Sequence, residues 1–365
     1  MIQIAFTGGG SGGHIYPGLA VVLCLRQQGP CRIFWIGSCT GMDRAVVEEG
    51  GIEFFGIPSG KLRRYFSFRN FLDGFKVLAG FFAARKILKR EKPDLLFSKG
   101  GFVSVPPCIA AASLNIPLCT HESDLSPGLA TRINTRFVQK IFTAYEDTAA
   151  FFPKRYKSRI RLTGNPVRPE FQKADAARGR AFLGIKEGER ILLVLGGSQG
   201  AREINELVRS CLGELTKPYV VVHQTGQNTA WDLAPSERYR PYPYFKEEMP
   251  QVIAASELVL GRSGAGTIWE CAALGRPMVL VPLSGSGTRG DQVENARFFE
   301  RAGAAAVLLG EGVSPRSLAE TVLSIAENDE KRAAMARASA KIGAIDGAAA
   351  IVREMMSLLE EKTNG

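Results

Sequence analysis

The sequence predicts an α/β protein made of two domains, each a doubly wound parallel sheet of the Rossmann-like kind, that face a cleft. Short β-branched runs alternate with helix-length amphipathic segments from the first residue, and the alternation restarts after "GNPVRP". Such alternation is typical of a parallel sheet covered by helices on both faces. The length of 365 residues also exceeds one ordinary core, which favours two domains.

The strand signals can be placed in order along the chain. The first half holds "IQIAF", "CRIFWIG", "EFFGI", "DLLFS", "PLCT" and "KIFTA", and the second half holds "RILLVLGG", "YVVVHQ", "ELVLG", "PMVLVP" and "AAAVLL". The prolines of "GNPVRP" disfavour a helix, so we place a hinge there. We expect domains at 1–164 and 165–343, and a C-terminal helix at 344–365 that packs back toward the first domain.

Glycine-rich turns follow three of the predicted strands. They are "TGGGSGGHIYPG", "SKGGFVSVP" and "LGGSQGAREIN". Glycine lets backbone N–H groups approach a ligand, and strand carboxyl ends border the binding crevice of such sheets. A helix is expected after the glycine-rich segment "TGGGSGGHIYPG", and we place Pro17 in the first turn of that helix. The three turns together predict that the cleft binds more than one phosphate group.

Positive charge is concentrated in the first half of the chain. The net charge is +10, and residues 1–165 carry 22 Lys and Arg against 11 Asp and Glu. This imbalance favours an anionic partner, which can be nucleic acid, an anionic membrane or a polyphosphate ligand. The sequence has no apolar run of about 18 residues and no signal-peptide pattern, so a cytosolic location is expected. The seven cysteines are scattered singly, most of them within apolar runs, and we interpret them as reduced residues without a catalytic or metal-binding role.

Two familiar phosphate-binding devices fit the first glycine turn poorly. Gly8, Gly10 and Gly13 form G-x-G-x-x-G, but the second strand ends in Gly37 and Ser38 rather than in the acidic residue that a dinucleotide site needs. Pro17 is also expected to delay the helix. A P-loop is excluded because no Gly-Lys-Ser/Thr follows the glycines.

A set of motifs in order and spacing resembles one family, the bacterial peptidoglycan glycosyltransferases of the MurG family. The motifs are "GGGSGGHIYPGLA", "GGFVSVP", "HESDLSPGLA", "GNPVR", "GGSQGAREIN", "RSGAGTIWECAALGRPMVLVP" and "DQVENA". The resemblance covers about residues 1–345 and implies a GT-B fold. It implies an inverting transfer of N-acetylglucosamine from UDP-N-acetylglucosamine to the C4 hydroxyl of lipid I, which forms lipid II. The implied partners are these two substrates and an anionic membrane surface, without nucleic acid, at the cytoplasmic face of the cell membrane.

The same resemblance implies a donor site. Arg168 and Ser198 match residues that contact the donor, Glu270 matches a glutamate that accepts from the ribose hydroxyls, and Gln292 matches a glutamine that contacts the sugar. The other donor-binding candidates are Ser11, Gly12, Gly13, Gln199, Gly200, Lys246, Ala265, Gly266 and Thr267. Plainer roles stay open: an N-cap for Ser198, a salt bridge at the hinge for Arg168 and a solvated helix position for Glu270.

We expect neither a cofactor nor a metal. The sequence contains no Asp-x-Asp, the motif with which many sugar transferases hold a divalent cation. The departing UDP is therefore predicted to be stabilised by a helix N-terminus and a cation.

The acceptor site is predicted around two candidate bases. His14 follows the first glycine turn, and a neutral imidazole can take a proton near neutral pH, although it can also donate to an acceptor phosphate or shape the loop. Asp124, with His121 and Glu122, lies in a motif where the family commonly has asparagine at position 124, so it can be the base or can orient the acceptor. The acceptor diphosphate is expected to contact Gly10, Gly12, Gly100, Gly101 and Ser104.

The segment "FRNFLDGFKVLAGFFAARKILKR" predicts contact with a membrane surface. Apolar residues follow helical spacing at Phe71, Phe75, Leu78 and Phe82 and extend around a second face at Val77, Phe81, Ala84 and Leu88. A helix that covers a sheet needs one such face, so the surplus predicts insertion into the membrane interface. The cations that would meet the headgroups are Arg69, Lys76, Arg85, Lys86, Lys89 and Arg90. A fully buried core helix is the alternative.

Two other functions remain open from the sequence. A UDP-sugar epimerase would bind the same nucleotide but needs no lipid-diphosphate loops and no membrane patch. A non-enzymatic module that binds anionic lipid or nucleic acid would explain the charge but would leave the nucleotide motifs of the second half unused.

Overall fold

The computed structural model describes residues 1–60, 68–196, 200–227, 229, 231–285 and 288–363, with side chains left out at 68–72 and 362–363. The chain divides into two compact units. Unit 1 comprises Met1–Pro169 and Ile345–Gly365, and unit 2 comprises Glu170–Ala344. The boundary proposed from the sequence, between 164 and 165, lies a few residues earlier.

Each unit is built on one sheet. The strands of unit 1 are β1 (Ile2–Thr7), β2 (Cys31–Ser38), β3 (Glu53–Ile57), β4 (Leu95–Ser98), β5 (Leu118–Glu122), β6 (Lys140–Thr143) and β7 (Ile160–Leu162). The strands of unit 2 are β8 (Ile191–Leu195), β9 (Val220–Gln224), β10 (Tyr239–Tyr242), β11 (Leu258–Gly261), β12 (Met278–Leu280) and β13 (Ala305–Val307).

Within the described residues both sheets are parallel and have the same order. It is β3-β2-β1-β4-β5-β6-β7 in unit 1 and β10-β9-β8-β11-β12-β13 in unit 2. The order reverses beside β1 and β8, where β4 and β11 are the neighbours. Ligands of doubly wound sheets bind outside the carboxyl ends of the strands at such a reversal.

The helices connect these strands and cover the sheets. They are α1 (Gly12–Gln28), α2 (Asp43–Glu49), α3 (Phe68–Glu91), α4 (Val105–Ser113), α5 (Leu129–Asn134), α6 (Pro169–Gln172), α7 (Ala176–Leu183), α8 (Arg202–Leu215), α9 (Met249–Ala255), α10 (Ala265–Ala273), α11 (Asp291–Arg301), α12 (Pro315–Ala326), α13 (Asp329–Gly343) and α14 (Gly347–Thr363). None of those described combines the length and apolar character needed to cross a bilayer.

The sheet of unit 1 is buried on both faces. On one face α1 and α14 pack together, and Val21 and Met355 belong to the same apolar core. On the other face, Ala84 of α3 and Cys108 of α4 belong to a second core. Strands covered on both sides are apolar along their whole length, which explains why they could be recognised in the sequence as apolar runs.

The strands predicted from the sequence are all present, but β7 and β10 were not predicted. Both are edge strands, with the sequences "IRL" and "YRPY". An edge strand has one neighbour, so charged residues and a proline such as Pro241 are tolerated there. Neither strand therefore carries the apolar run by which the others were found.

The predicted position of Pro17 is wrong. Helix α1 already begins at Gly12, after Ser11, so Pro17 lies inside the helix and not in its first turn. Proline has no N–H to donate to the carbonyl four residues earlier, here that of Gly13. Pro17 therefore does not delay the helix and gives no reason to reject a dinucleotide site. The lack of an acidic residue at the end of β2 still argues against such a site.

Candidate active site

The first glycine turn, residues 8–13, is held by a buried carboxylate. The backbone N–H of Gly10 donates to Asp43 Oδ1 at 2.9 Å, and that of Ser38 donates to Asp43 Oδ2 at 3.1 Å. Asp43 has no solvent exposure. A β-carbon on Gly9 would collide with its carboxylate. Asp43 thus fixes the backbone of the turn, and it was not predicted as a site residue.

The second glycine turn follows β4 and packs on the first. Gly100 and Gly101 have φ of +83° and +78°, a conformation that favours glycine. The Oγ of Ser104 donates to the Gly101 carbonyl at 2.8 Å and accepts from Asn134 Nδ2 at 2.9 Å. Ser104 is fully buried, so its hydroxyl stabilises the conformation of the turn and does not contact the diphosphate directly.

His14 lies between these two turns, in the first turn of α1. Its Nδ1 is 3.3 Å from the carbonyl oxygen of Lys99. A carbonyl only accepts, so this contact favours the neutral tautomer with hydrogen on Nδ1. In that tautomer the lone pair of the ring lies on Nε2, and this is the atom that a general base uses to take a proton.

The carboxyl end of β5 carries the second candidate base. Glu122 is 5% exposed, and its Oε1 and Oε2 accept from the backbone N–H groups of Asp124 and Gly128 at 3.1 and 3.0 Å. These bonds fix the loop on which Asp124 lies half-buried. Burial and the charge of Lys99 hold the pKa of His121 well below its ordinary value, and its Nε2 donates to the Gly164 carbonyl. His121 is therefore a neutral structural residue.

A buried lysine connects the second glycine turn to this loop. Lys99 is 1% exposed, and its Nζ donates to Ser123 Oγ at 2.6 Å. Ser123 Oγ in turn donates to Asn165 Oδ1 at 2.5 Å. Burial lowers the pKa of Lys99 to about 8, although Glu122 and Asp124 raise it. Neither Lys99 nor Asn165 was predicted, although both lie in the quoted motifs "SKGGFVSVP" and "GNPVR".

Arg168 lies at the end of unit 1. Its guanidinium carbon is 5.4 Å from the centroid of the Tyr16 ring on α1. Ser11 and Gly13 are exposed and Gly12 is half-buried at the start of the same helix. These four donor-binding candidates therefore belong to unit 1, whereas the others belong to unit 2.

In unit 2, the start of α10 carries several candidates on an open surface. A β-carbon on Gly264 or Gly266 would meet no described atom within 4 Å. Thr267 and Glu270 are half-buried and three residues apart, which places them on one face of the helix. Ala265 is nearly buried, at 9% exposure, so it contributes backbone rather than side chain to this surface.

Gln292 is tied to the same end of the sheet. It lies in the first turn of α11, its carbonyl accepts from Ser263 Oγ at 2.7 Å, and Ser263 precedes the start of α10. Its side-chain Oε1 accepts from the Leu283 N–H at 3.0 Å. This bond orients the amide, whose NH2 group is the donor that a sugar hydroxyl can use.

Two further turns of unit 2 carry donor-binding candidates. Gly200 has φ +77°, and a β-carbon there would lie 2.6 Å from the Thr225 carbonyl oxygen. Lys246 is exposed and its backbone N–H donates to Glu248 Oε2 at 3.2 Å. Ser198 and Gln199 lie outside the described residues. In the part of the chain that is described, no cluster of three or more His, Cys, Asp or Glu residues could hold a metal ion.

The two parallel sheets, with glycine turns and helix starts at their carboxyl ends, define a protein of the GT-B fold class. Residues 4–143 match the profile of the glycosyltransferase family 28 N-terminal domain, and residues 191–351 match that of the family 28 C-terminal domain. The chain therefore belongs to glycosyltransferase family 28, as the motifs predicted.

Named relatives cover the whole chain. A protein of Treponema denticola is 47% identical over 98% of both chains, and one of Treponema pallidum is 45% identical over 98% of this chain and 96% of its own. Both are named UDP-N-acetylglucosamine--N-acetylmuramyl-(pentapeptide) pyrophosphoryl-undecaprenol N-acetylglucosamine transferase. These relatives identify an enzyme rather than a binding module.

Solved structures show the same fold. The crystal structure of Acinetobacter baumannii MurG matches with a TM-score of 0.73 at 24% identity, over 98% of this chain and 100% of that chain. UDP-GlcNAc 2-epimerase from Neisseria meningitidis, bound to UDP-GlcNAc, matches with 0.69 at 16% identity, over 98% and 100%. Because a transferase and an epimerase share the fold, the family and not the fold separates the two functions.

Proposed function

We propose that unit 2 binds UDP-N-acetylglucosamine and unit 1 binds lipid I in the reaction of this family. The chain is an N-acetylglucosaminyltransferase that moves the sugar from UDP-N-acetylglucosamine to lipid I and so forms lipid II. The assignment of one substrate to each unit is supported by one observation: each unit has its own glycine turns at the carboxyl edge of its own sheet.

The donor is assigned to the start of α10 and α11. The carboxylate of Glu270 accepts from the two ribose hydroxyls, and the amide of Gln292 donates to a sugar hydroxyl. The open surface beside Gly264 and Gly266 admits the nucleotide to the first turn of α10. Gly200 and the backbone around Lys246 complete the site, with Ser198 and Gln199 as expected from the sequence.

The acceptor is assigned to the interlocked glycine turns of unit 1. Backbone N–H groups of Gly12 and Gly101 are assigned to the diphosphate. Those of Gly10 and Gly100, which the sequence also suggested, already donate to Asp43 Oδ1 and Ser98 Oγ, so these two glycines shape the turns together with Asp43 and Ser104. The C4 hydroxyl of the acceptor gives its proton to Nε2 of His14, with Asp124 orienting the hydroxyl. The alternative, in which Asp124 takes the proton, is kept because Lys99 contacts His14 and also interacts electrostatically with Asp124.

Transfer proceeds as a single displacement that inverts the anomeric carbon. The acceptor oxygen forms a bond to C1 of the sugar while the bond from C1 to the UDP oxygen breaks, and the base receives the hydroxyl proton. Negative charge grows on UDP as it leaves, so helix N-terminal N–H groups and the Arg168 guanidinium are assigned to stabilise it, with the start of α1 at Ser11 and Gly13.

The exposed face of α3 is proposed to rest on an anionic membrane surface. Phe75, Leu78 and Phe82 are 58%, 53% and 60% exposed, whereas Ala84 and Leu88 are fully buried against the sheet. The helix thus has a covered face and a separate exposed apolar face, which disfavours the fully buried alternative. Lys86 and Lys89 are exposed on the same helix and can meet anionic headgroups. The side chains of Arg69 and Phe71 lie outside the described residues.

An incubation with labelled UDP-N-acetylglucosamine tests the function, with and without a soluble lipid I analogue. We expect label in the acceptor only when the analogue is present, and UDP in equal amount. An epimerase would convert the sugar nucleotide without any acceptor, and that outcome would overturn the proposal.

A further inference from the structure

We propose that Lys99 is a positioning residue for the transfer step: its buried ammonium group, bound to Ser123, holds the loop of Asp124 against the second glycine turn. The inference rests on the acceptor site proposed in unit 1. It adds a residue that the motifs alone did not single out, and it predicts how the reaction depends on pH.

Lys99 contacts His14 and the residue before Asp124 through different atoms. Its backbone N–H donates to the Thr7 carbonyl at 2.8 Å, which joins β4 to the start of the first glycine turn. Its carbonyl accepts from Nδ1 of His14, and its Nζ donates to Ser123, the residue before Asp124. One residue therefore sets the tautomer of His14 and the place of the Asp124 loop.

The burial of this cation is not explained by stability alone. A buried ammonium group pays a large desolvation cost, and apolar residues of similar volume often stabilise a fold as well or better. The titratable groups that face it are the carboxylates of Glu122 and Asp124 and the neutral ring of His121. Its positive charge thus acts on the two carboxylates of the loop that carries a candidate base.

Lys140 provides a matched comparison in the same sheet. It is also buried, at 8% exposure, but its Nζ pairs with Glu354 of α14 at 3.0 Å. This ion pair joins β6 to the C-terminal helix, away from both glycine turns. A general effect of removing a buried lysine can therefore be separated from an effect on the proposed acceptor site.

The charge on Lys99 is expected to be lost at mildly alkaline pH, because burial lowers its pKa to about 8. Below that pH the ammonium is positive and attracts the carboxylates of Glu122 and Asp124. Above it the lysine is neutral, so the attraction that helps to hold the loop is lost. We therefore expect kcat to fall on the alkaline side near pH 8, and arginine at this position to move that fall upward, because guanidinium does not titrate there.

The test compares kcat against pH for the wild type, Lys99→Met, Lys99→Arg and the control Lys140→Met, with saturating donor and a soluble lipid I analogue. We expect Lys99→Met to lower kcat about tenfold or more at pH 7.5 and to lack the fall of kcat near pH 8, because no titrating lysine is left there, with KM for the donor unchanged. Lys99→Arg should keep more activity than Lys99→Met. Lys140→Met should keep the wild-type profile.

A second readout does not depend on turnover. In protein labelled with 13C at aspartate carboxyls, the resonance that disappears in Asp124→Asn should titrate at higher pH in Lys99→Met than in the wild type. An unchanged titration, or a kcat profile altered equally in Lys99→Met and Lys140→Met, would overturn the proposal. Failure of the wild type to transfer sugar would instead count against the proposed function, and the carboxyl titration would still decide the role of Lys99.

Discussion

The ring of His14 lies directly against Gly101: a β-carbon on residue 101 would come 2.8 Å from His14 Cδ2 and 2.6 Å from the Gly9 carbonyl oxygen. The two glycine turns of unit 1 therefore interlock around the imidazole. Since Gly101 also has φ +78°, both its backbone and its missing side chain are needed for this contact.

Gly101→Ala should displace His14 and lower kcat by about 100-fold, because a misplacement of about 1 Å has that effect on a catalytic group. KM for UDP-N-acetylglucosamine should change little, since the ribose and sugar contacts of the donor are assigned to Glu270 and Gln292 of unit 2. The control is Gly213→Ala in α8, where a β-carbon meets no described atom within 4 Å. Steady-state kinetics of both variants check this, and a wild-type kcat in Gly101→Ala would contradict the assignment of His14.

Glu270→Ala should raise KM for UDP-N-acetylglucosamine about 10-fold to 100-fold, the loss expected for hydrogen bonds to a charged acceptor. The fold should be intact, because Glu270 is only half-buried on the surface of α10. Glu320→Ala, on an exposed position of α12 paired with Arg316, is the matched control. Equal KM values in the two variants would remove Glu270 from the donor site.

His14→Ala and Asp124→Asn distinguish the two candidate bases. If His14 takes the proton, its removal should lower kcat by about 100-fold or more while donor binding is kept, as for a group that acts in the transition state. Asp124→Asn should then have the smaller effect, because an amide can still orient a hydroxyl. The reverse order of the two kcat values would exchange the roles.

Turnover should continue in EDTA. The prediction follows from the absence of Asp-x-Asp and from the helix N-termini that can stabilise the departing UDP. Initial rates measured after exhaustive chelation should match those of the untreated enzyme. A complete loss of activity that magnesium or manganese restores would contradict this account.

Replacing Phe75 and Phe82 of α3 together with serine should weaken sedimentation with anionic vesicles, because both side chains are more than half exposed. Binding of the wild type should increase with the fraction of anionic lipid and decrease with salt. Phe182→Ser, at an exposed position of α7 in unit 2, is the control. Equal binding to neutral vesicles would contradict the electrostatic part of this proposal, and no binding to anionic vesicles would contradict it entirely.

Much of the fold could be predicted because parallel strands buried on both faces are apolar throughout. The runs around Ile4, Leu95 and Leu193 are therefore visible without any structure. The edge strands β7 and β10 were missed because, unlike the edge strands β3 and β13, they have no apolar run, which an open edge permits. Pro17 was misplaced because residues 12–16 gave no local sign that α1 already begins at Gly12.

The sequence by itself determined the class of the protein and the identity of its glycine turns, because these depend on residues that are neighbours along the chain. Only the tertiary structure decided what holds the turns. Asp43 reaches Gly10, Lys99 reaches Ser123, and Ser123 reaches Asn165 across long stretches of sequence. A parallel sheet brings the carboxyl ends of separate strands to one edge, so groups far apart in the chain become partners there. A local sequence pattern cannot predict such a hydrogen-bonded pair, because the order of the strands in the sheet determines which residues become neighbours.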